Sequence, residues 1–579
     1  MKTRKQPTDL VLIEEEQELL ETGGDHYFQV DFLKAAMIFL VIFDHMVSWG
    51  LKRDMGVALW ERISIPVFLV IMGFNMGLSF QRHEANTLKE LYSWRYFKSK
   101  ILRYIVPFAI LYGASTLIGL IIYRFNFDLM YTMQFSPEHG IPNLITGILP
   151  FWGPGNWFIP VLLQSILIIP LLYWGFKKKP IITLILCFII EIAMHLIVFF
   201  CIGTLYPGGF ISYPKVHILY VFMNSIPFYL SAVGLGIWFS FGHKLNEKRN
   251  WFIWLLFPIS LIYLIANQFF GVHFVVVTGP NLWDIVPLIR GDYHFLVFPY
   301  SAVLVLSALS ILPNRVKSNN RIINATSNAI SQIGKATYHI LLTQILGYGI
   351  VFALLRYHYI INPYSIPLDI LYLIFAEILF ISLGVIWYKI DQIKNIPRRI
   401  LYYINFFLIL VVIVVTGFNS MELINVDEVI LPIAILIVSA FVFLSVNIYF
   451  SYQIHNRRDQ DKIMFRRRLY LLNLLLVSLL IAFLIYMALV LTDWTPVPVG
   501  TILIYAGGAL IALFILSFVS KKPPKMTTLI IWTLFLIYNF IMAILYITIL
   551  PPTEFLIQNI SIGYFAVFAL IVTILDYGL

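Results

Sequence analysis

Sixteen apolar runs, each long enough to cross a lipid bilayer, constrain the fold of this 579-residue chain more than any other feature. A transmembrane helix needs roughly 20 apolar residues, and lipid offers no hydrogen-bond partner to the backbone, so such runs favour helices. Only 12% of the residues are charged, against roughly 25% in a soluble domain, which excludes that class. We therefore predict an all-α fold, a polytopic transmembrane helix bundle of about 16 spans.

The distribution of basic residues along the chain predicts the orientation of these spans. The predicted spans lie near 32–50, 62–80, 101–123, 156–175, 181–203, 217–241, 251–271, 293–312, 334–355, 366–388, 400–418, 428–450, 470–491, 499–519, 526–549 and 560–577. With a cytoplasmic N-terminus, the cytoplasmic regions hold 32 of the 40 Lys and Arg residues, as the positive-inside rule requires. We therefore predict a multi-pass protein of the cell membrane with both termini in the cytoplasm.

The character of the spans changes near residue 395 and predicts three parts. Residues 1–28 are polar and form a predicted cytoplasmic tail, without the basic start and short apolar core of a cleavable signal peptide. Residues 29–395 hold ten spans that are interrupted by Pro, Gly, His and charged residues. Residues 396–579 hold six cleaner spans with short loops, which we interpret as a separate transmembrane domain.

The first apolar run, from Gln29 to Gly50, carries three polar residues that an anchor does not need: Lys34, Asp44 and His45. Charged groups at membrane depth are costly and usually line a functional cavity. Lys34 and His45 are eleven positions apart, which places them within about 20° on one helix face and roughly 16 Å apart. A neutral imidazole can act as a general base. The alternative is a buried histidine that bonds a neighbouring carbonyl, and Asp44, about 100° around the helix, need not orient it.

A dense basic segment precedes the third predicted span. Arg95, Lys98, Lys100 and Arg103 fall within nine residues of one another. Such cations could bind an anionic ligand at the membrane surface, for example the phosphates of a nucleotide-containing cofactor. The alternative is an ordinary anchor beside anionic lipid.

The stretch GPGNWFIPVLLQ, residues 153–164, leads into the fourth span from the predicted outer side. Its Gly and Pro residues beside Asn156 and Trp157 favour a shaped, non-helical entry to a cavity. The alternative is a turn within an interfacial aromatic belt. Aromatic residues of the preceding loop could stack on sugar faces.

Other ionisable residues lie at or near membrane depth. Glu191 and His195 share a helix face and form either a proton relay or a pair that neutralises itself. The cluster from Asp284 to His294 could line an outer entrance, and Glu377 is an isolated intramembrane acid. Only two cysteines are present, so we predict neither a disulfide framework nor a metal site.

In chain order, these motifs resemble those of the membrane acyltransferase-3 family over about residues 28–395. The family's hallmark is a basic residue, ten intervening positions and a histidine, here Lys34 to His45. IPVFLVIMGF (65–74) resembles its phenylalanine-rich second span, and RYFKSKILRYIVPF resembles its basic segment leading to a proline. GNWFIPVLL resembles its Trp-Phe motif, and IGKATYHILLTQ (333–344) resembles its glycine-to-tyrosine motif.

This resemblance implies an acyltransferase that moves an acyl group, usually acetyl, from cytoplasmic acyl-coenzyme A to hydroxyls or amines of surface glycans and related acceptors. It implies O-acetylation of a cell-surface polysaccharide or a similar reaction, with acetyl-CoA as co-substrate and no metal. The implied partners are a glycan or lipid-linked acceptor and membrane lipid, and no nucleic acid. The implied site residues are His45, Lys34 and Asp44 for catalysis, Arg95, Lys98, Lys100 and Arg103 for coenzyme A, and Asn156, Trp157 and Tyr338 for the substrate.

The chain departs from the family pattern at three places and leaves other functions open. Lys34 replaces the usual Arg, Met72 stands where Ser is common, and Thr343 and Gln344 occupy a region where many members have His. A transporter or flippase for an amphiphile is the alternative from another class, but its expected inverted repeats are not detectable in the sequence. A related transmembrane acetyltransferase that acts on glucosamine amines differs only in its acceptor.

Overall fold

The structure is a computed structural model that describes residues 27–406 with several gaps. The gaps are 48–50, 53–54, 124–125, 128–129, 131–144, 146, 152, 199–223, 271–292, 317, 356–365, 394–395, 397–398, 401 and 404–405. The predicted tail up to residue 26, the outer cluster from Asp284 to Asp292 and the six-span domain beyond residue 406 lie outside the described residues. The predicted boundary near residue 395 therefore stays a prediction.

Within the described residues the chain forms helices and turns and no strand. The α-helices are α1 (Phe28–Met46), α2 (Ser64–Arg82), α3 (Leu88–Leu91), α4 (Trp94–Lys100), α5 (Val106–Ile122), α6 (Phe158–Lys178), α7 (Pro180–Val198), α8 (Leu230–Ser240), α9 (Ile253–Phe270), α10 (Phe298–Ile311), α11 (Arg321–Leu355) and α12 (Ile366–Asp391). Short 3₁₀ helices cover Val57–Leu59, Ile226–Tyr229 and Lys248–Asn250, and a π-helix covers Ile101–Ile105 between α4 and α5.

Local sequence signals explain where several helices begin. α3 starts with a capping box, in which the Thr87 hydroxyl accepts from the Glu90 amide and the Glu90 carboxylate accepts from the Thr87 amide. α10 has Pro299 in its first turn, where the missing N–H costs nothing. α6 and α9 contain Pro170 and Pro258 internally, as transmembrane helices tolerate.

The helices confirm the predicted fold class for the described part of the chain. Each of the ten segments predicted up to residue 388 overlaps one of them. Five helices are long and apolar enough to cross a membrane: Val57–Arg82, Leu88–Leu120, Phe158–Lys178, Pro180–Ile197 and Lys248–Phe270. α1 is not among the five, because Asp31, Lys34 and Asp44 interrupt its apolar sequence. The chain is an all-helical membrane protein, and the count of 16 spans stays a prediction.

The chain separates into two compact units that alternate along the sequence. The first unit comprises residues up to 97, 164–212 and 225–337, and the second comprises 98–163, 213–224 and the residues from 338 onward. In the first unit α2 packs against α1, α8 and α10, while α8 also packs against α7. In the second unit α12 packs along α11, where Gly384 faces the Ile340 backbone.

The α2–α8 contact in the first unit is unusually close because glycines lie on both sides of it. A Cβ atom on Gly73 of α2 would overlap the Val233 carbonyl oxygen. One on Gly236 of α8 would overlap the Val70 carbonyl oxygen. Small residues let membrane helices approach until their backbones touch, which is the main source of helix association where lipid supplies no hydrophobic drive.

We expect Gly73→Ala to destabilise the protein, because the new methyl group meets backbone atoms that cannot rotate away. Overpacking of this kind costs about 1–3 kcal/mol, which should appear as a lower melting temperature of the detergent-solubilised protein. Gly113→Ala is the matched control, since no atom lies within 4 Å of the Cβ position there. Equal melting temperatures for the two variants would contradict the close α2–α8 contact.

Candidate active site

The N-terminal end of α1 holds Lys34 in a buried ionic contact within the first unit. The Lys34 Nζ lies 3.4 Å from the Asp31 Oδ1, one turn earlier on the same helix. The other oxygen of Asp31 accepts a hydrogen bond of 2.7 Å from the Ser331 hydroxyl on α11. α11 comes this close because Gly334 leaves room for the Asp31 backbone. The predicted basic residue is therefore held by a carboxylate that the sequence analysis did not single out.

The C-terminal end of α1 presents His45 and Asp44 in its last turn. The His45 Nε2 lies 3.8 Å from the Asp44 Oδ2, which exceeds hydrogen-bond distance. The other Asp44 oxygen lies 2.8 Å from the Lys52 Nζ. Asp44 thus bonds Lys52 directly and faces His45 only through space. Lys52 was missed, and its short sequence distance from the end of the first span was the only available signal.

The segment after Lys52 is anchored by hydrogen bonds to two helices of the first unit. The Tyr300 hydroxyl on α10 donates to the Leu59 carbonyl at 3.0 Å, and the Ala58 amide donates to the Gln268 side chain on α9 at 2.9 Å. The Trp60 ring packs at 5.0 Å from the Phe43 ring on α1. This aromatic contact lies next to Asp44 in the chain and borders the His45 end of the helix.

The basic segment divides into exposed and buried cations. Arg95, in the first unit, is exposed, and so are Lys98 and Arg103 in the second unit. Lys100 is buried, with its Nζ 5.9 Å from the centre of the Tyr104 ring. Exposed cations can reach a phosphate group, whereas Lys100 is committed to packing around the π-helix.

Tyr338 of α11 binds this π-helix within the second unit. Its hydroxyl donates to the Tyr104 carbonyl at 2.8 Å, and the two rings meet edge to face. π-helices are rare and occur frequently at functional sites. The structure therefore places Tyr338, predicted from its motif to contact the substrate, beside the basic segment.

The loop before α6 is organised by Asn156, which is buried in the second unit. Its Nδ2 donates to the Gly147 carbonyl at 2.8 Å, and its Oδ1 accepts from the Leu149 amide at 3.0 Å. Both ends of the amide are thus engaged by the loop's own backbone. Trp157 is half-buried and packs edge to face with Phe158.

The same loop is joined to α11. The Gly153 amide donates to the Ile345 carbonyl at 2.9 Å, and the Gln344 side chain donates to the Pro154 carbonyl at 3.3 Å. α11 therefore contacts two of the predicted motifs in the second unit: the basic segment through Tyr338, and the GPGNW loop about two turns later.

Glu191 lies in a buried polar cluster of the first unit. Its carboxylate accepts hydrogen bonds from the Ser231 amide at 2.9 Å and from the Ser231 hydroxyl at 2.6 Å. His195, one turn later on α7, lies with its ring 6.3 Å from that of His294, whose Nε2 is 3.0 Å from the Tyr263 hydroxyl. The sequence identified Glu191 and His195 but not these partners, which come from other helices.

Two further ionisable sites occur in the second unit. His339, next to Tyr338, is buried with its Nε2 2.6 Å from the Asp391 Oδ2 at the end of α12. Glu377 is buried on α12, and neither carboxylate oxygen has a hydrogen-bond partner among the described residues. Within those residues no three His, Cys, Asp or Glu side chains form a group able to hold a metal ion.

We expect Asn156→Ala to lower the melting temperature, because it removes two buried hydrogen bonds and leaves backbone groups unsatisfied. Each such group costs about 1–3 kcal/mol. Asn328→Ala, at an exposed position on α11, serves as the control. An unchanged melting temperature in Asn156→Ala would contradict a structural role and favour a direct contact with the substrate.

Comparison with known proteins gives one match. The model of the acyltransferase-3 family, described as an acyltransferase domain, matches residues 27–389, which is more than half of the chain. No curated protein and no solved structure matches the chain. The matched region contains all the residues described above as candidate site residues. The chain therefore belongs to the acyltransferase-3 family and is an acyltransferase of the membrane.

Proposed function

We propose that this acyltransferase moves an acyl group, with acetyl as the expected group, from cytoplasmic acyl-coenzyme A to a cell-surface glycan or lipid-linked acceptor. The acceptor atom is a hydroxyl oxygen or an amine nitrogen. The enzyme lies in the cell membrane with both termini in the cytoplasm, so the donor binds on one side and the acceptor on the other. The positive-inside distribution of Lys and Arg supports this orientation.

In the proposed reaction, His45 acts as general base. Its neutral imidazole takes the proton of the acceptor group while the acceptor atom attacks the thioester carbonyl. The new ester or amide bond forms, the carbon–sulfur bond breaks, and the coenzyme A thiolate leaves and takes up a proton. Only the acyl group and one proton change place, so the reaction requires no oxidant, reductant or metal.

The observation that carries the proposal is the pairing of two separate polar sites on one apolar helix within the family-matched region. α1 holds Lys34 against Asp31 near its first turn, and it holds His45 and Asp44 in its last turn. Eleven residues of helix separate the cation and the imidazole, which is about 16 Å. An apolar helix retains such groups only where they are partnered or used.

The exposed cations of the basic segment support a donor site. Arg95, Lys98 and Arg103 carry the donor's phosphates in this proposal, since their side chains are exposed. Lys100 is buried against Tyr104, and we assign it the support of the π-helix. Membrane lipid surrounds the helices, and the GPGNW loop with Trp157 is the proposed acceptor side.

We expect membranes that contain the protein to transfer label from radiolabelled acetyl-coenzyme A into a glycan or lipid fraction. His45→Ala should lower this transfer roughly 10²–10⁴-fold, the usual contribution of a general base, with normal expression and insertion. His83→Ala, at an exposed position after α2, is the control. A well-inserted His45→Ala protein with full activity would exclude His45 as the base.

We expect the combined change of Arg95, Lys98 and Arg103 to Gln to raise the KM for acyl-coenzyme A and to leave kcat nearly constant. Contacts made equally in the ground state and the transition state affect KM alone. Three exposed charge contacts of about 0.2–1 kcal/mol each should change KM on the order of tenfold. The control changes Lys178, Lys179 and Lys244, also exposed, to Gln. Similar KM values in both triple variants would assign the basic segment to topology.

A further inference from the structure

Lys52 makes two hydrogen bonds to a single residue, Asp44, at the end of α1. Its Nζ donates to the Asp44 Oδ1 at 2.8 Å and to the Asp44 backbone carbonyl at 2.6 Å. The Lys52 side chain is only 6% exposed. The last carbonyls of a helix lack intrahelical partners, and lysine side chains can satisfy them. Lys52 therefore fixes both the end of the helix and the carboxylate of Asp44.

The consequence for His45 follows from where the two Asp44 oxygens lie. One oxygen is bonded to Lys52, and the other is 3.8 Å from the His45 Nε2. A carboxylate this close to an imidazole favours the protonated, cationic ring. A cationic ring cannot accept a proton, so an uncompensated Asp44 would oppose the role of His45 as base.

The other ionisable groups around this site are few. Arg62 acts electrostatically on Asp44, and Glu61 is buried beside it in the chain. Of the helices packed against α1, α2 carries a charge only at Arg82 in its last turn, and α10 contributes only Tyr300, which bonds the Leu59 carbonyl. The pair of Lys34 and Asp31 lies near the other end of α1, roughly 16 Å away.

We infer that Lys52 is a positioning residue for acyl transfer, which rests on the proposed role of His45. It occupies the Asp44 carboxylate and compensates its charge, so that the neighbouring imidazole stays neutral and able to accept the acceptor's proton. Asp44 and Lys52 thus act as one unit, in which the lysine supplies the compensating charge and the aspartate holds it in place.

We expect Lys52→Met to move the acid limb of the pH profile of kcat/KM to higher pH. An opposite charge within about 4–6 Å shifts a titration by 1–3 pH units, so the midpoint should rise by about one unit or more. Activity near pH 6.5 should fall by about tenfold or more and recover substantially at pH 8.5. Lys52→Arg, which keeps the charge, should stay close to the parent profile.

Asp44→Asn provides the complementary test, because Lys52 then faces His45 without its carboxylate. The acid limb should move to lower pH in Asp44→Asn, and the double variant Asp44→Asn with Lys52→Met should return towards the parent midpoint. Lys179→Met, at an exposed position, controls for the loss of one lysine. Because the acceptor is the same in every assay, its own titration cancels in these comparisons.

Two outcomes would overturn the inference. The first is a loss of activity in Lys52→Met that is equal at every pH, with an unchanged acid limb, which would assign Lys52 to structure alone. The second, which applies even if Lys52→Met does not fold, is an unshifted acid limb in Asp44→Asn. These results differ from failure of the proposed function, which would appear as an active His45→Ala protein.

Discussion

Every charge that the first unit carries within or beside its apolar helices requires compensation, and that requirement organises the candidate site. Asp31 lies between Lys34 and Ser331, and Asp44 bonds Lys52. Moving a charge out of water costs several kcal/mol unless a partner compensates it. α1 therefore retains a cation at one end and a histidine at the other only because residues from α11 and from the segment after α1 reach these positions.

Glycine contacts determine how closely the helices approach, and this in turn determines which polar groups meet. Gly334 allows α11 to reach the Asp31 backbone, so the Ser331 hydroxyl can bond the carboxylate. Gly73 and Gly236 allow α2 and α8 to touch at the backbone. In the second unit, Gly153 leaves room for the backbone of α11 at Gly349. Close packing of this kind resists small shifts, so the polar partners remain at bonding distance.

The second unit combines irregular backbone with binding motifs. The π-helix places Lys100 and Arg103 around Tyr104, whose carbonyl accepts from Tyr338, and the GPGNW loop is held by the two hydrogen bonds of Asn156. Irregular backbone at membrane depth is tolerated only where other protein groups satisfy it. Both devices use α11, so this helix links the sequence motifs that the family shares. Asn156 also illustrates that a residue selected by its motif can serve the loop that surrounds it.

The sequence by itself determined the helical fold of the described residues, the position of Lys34 and His45 on one helix face, and the family, because these depend on local periodicity and on residue order. It also identified Glu191 and the basic segment. It did not reveal Asp31, Ser331, Lys52 or Asp391 as partners. Three of these contacts join residues 300, 8 and 52 positions apart, and one sequence contains no signal for such pairs. Only the tertiary structure decided that Asp44 bonds Lys52 instead of His45, because the packing of the segment after α1 sets which cation reaches the carboxylate.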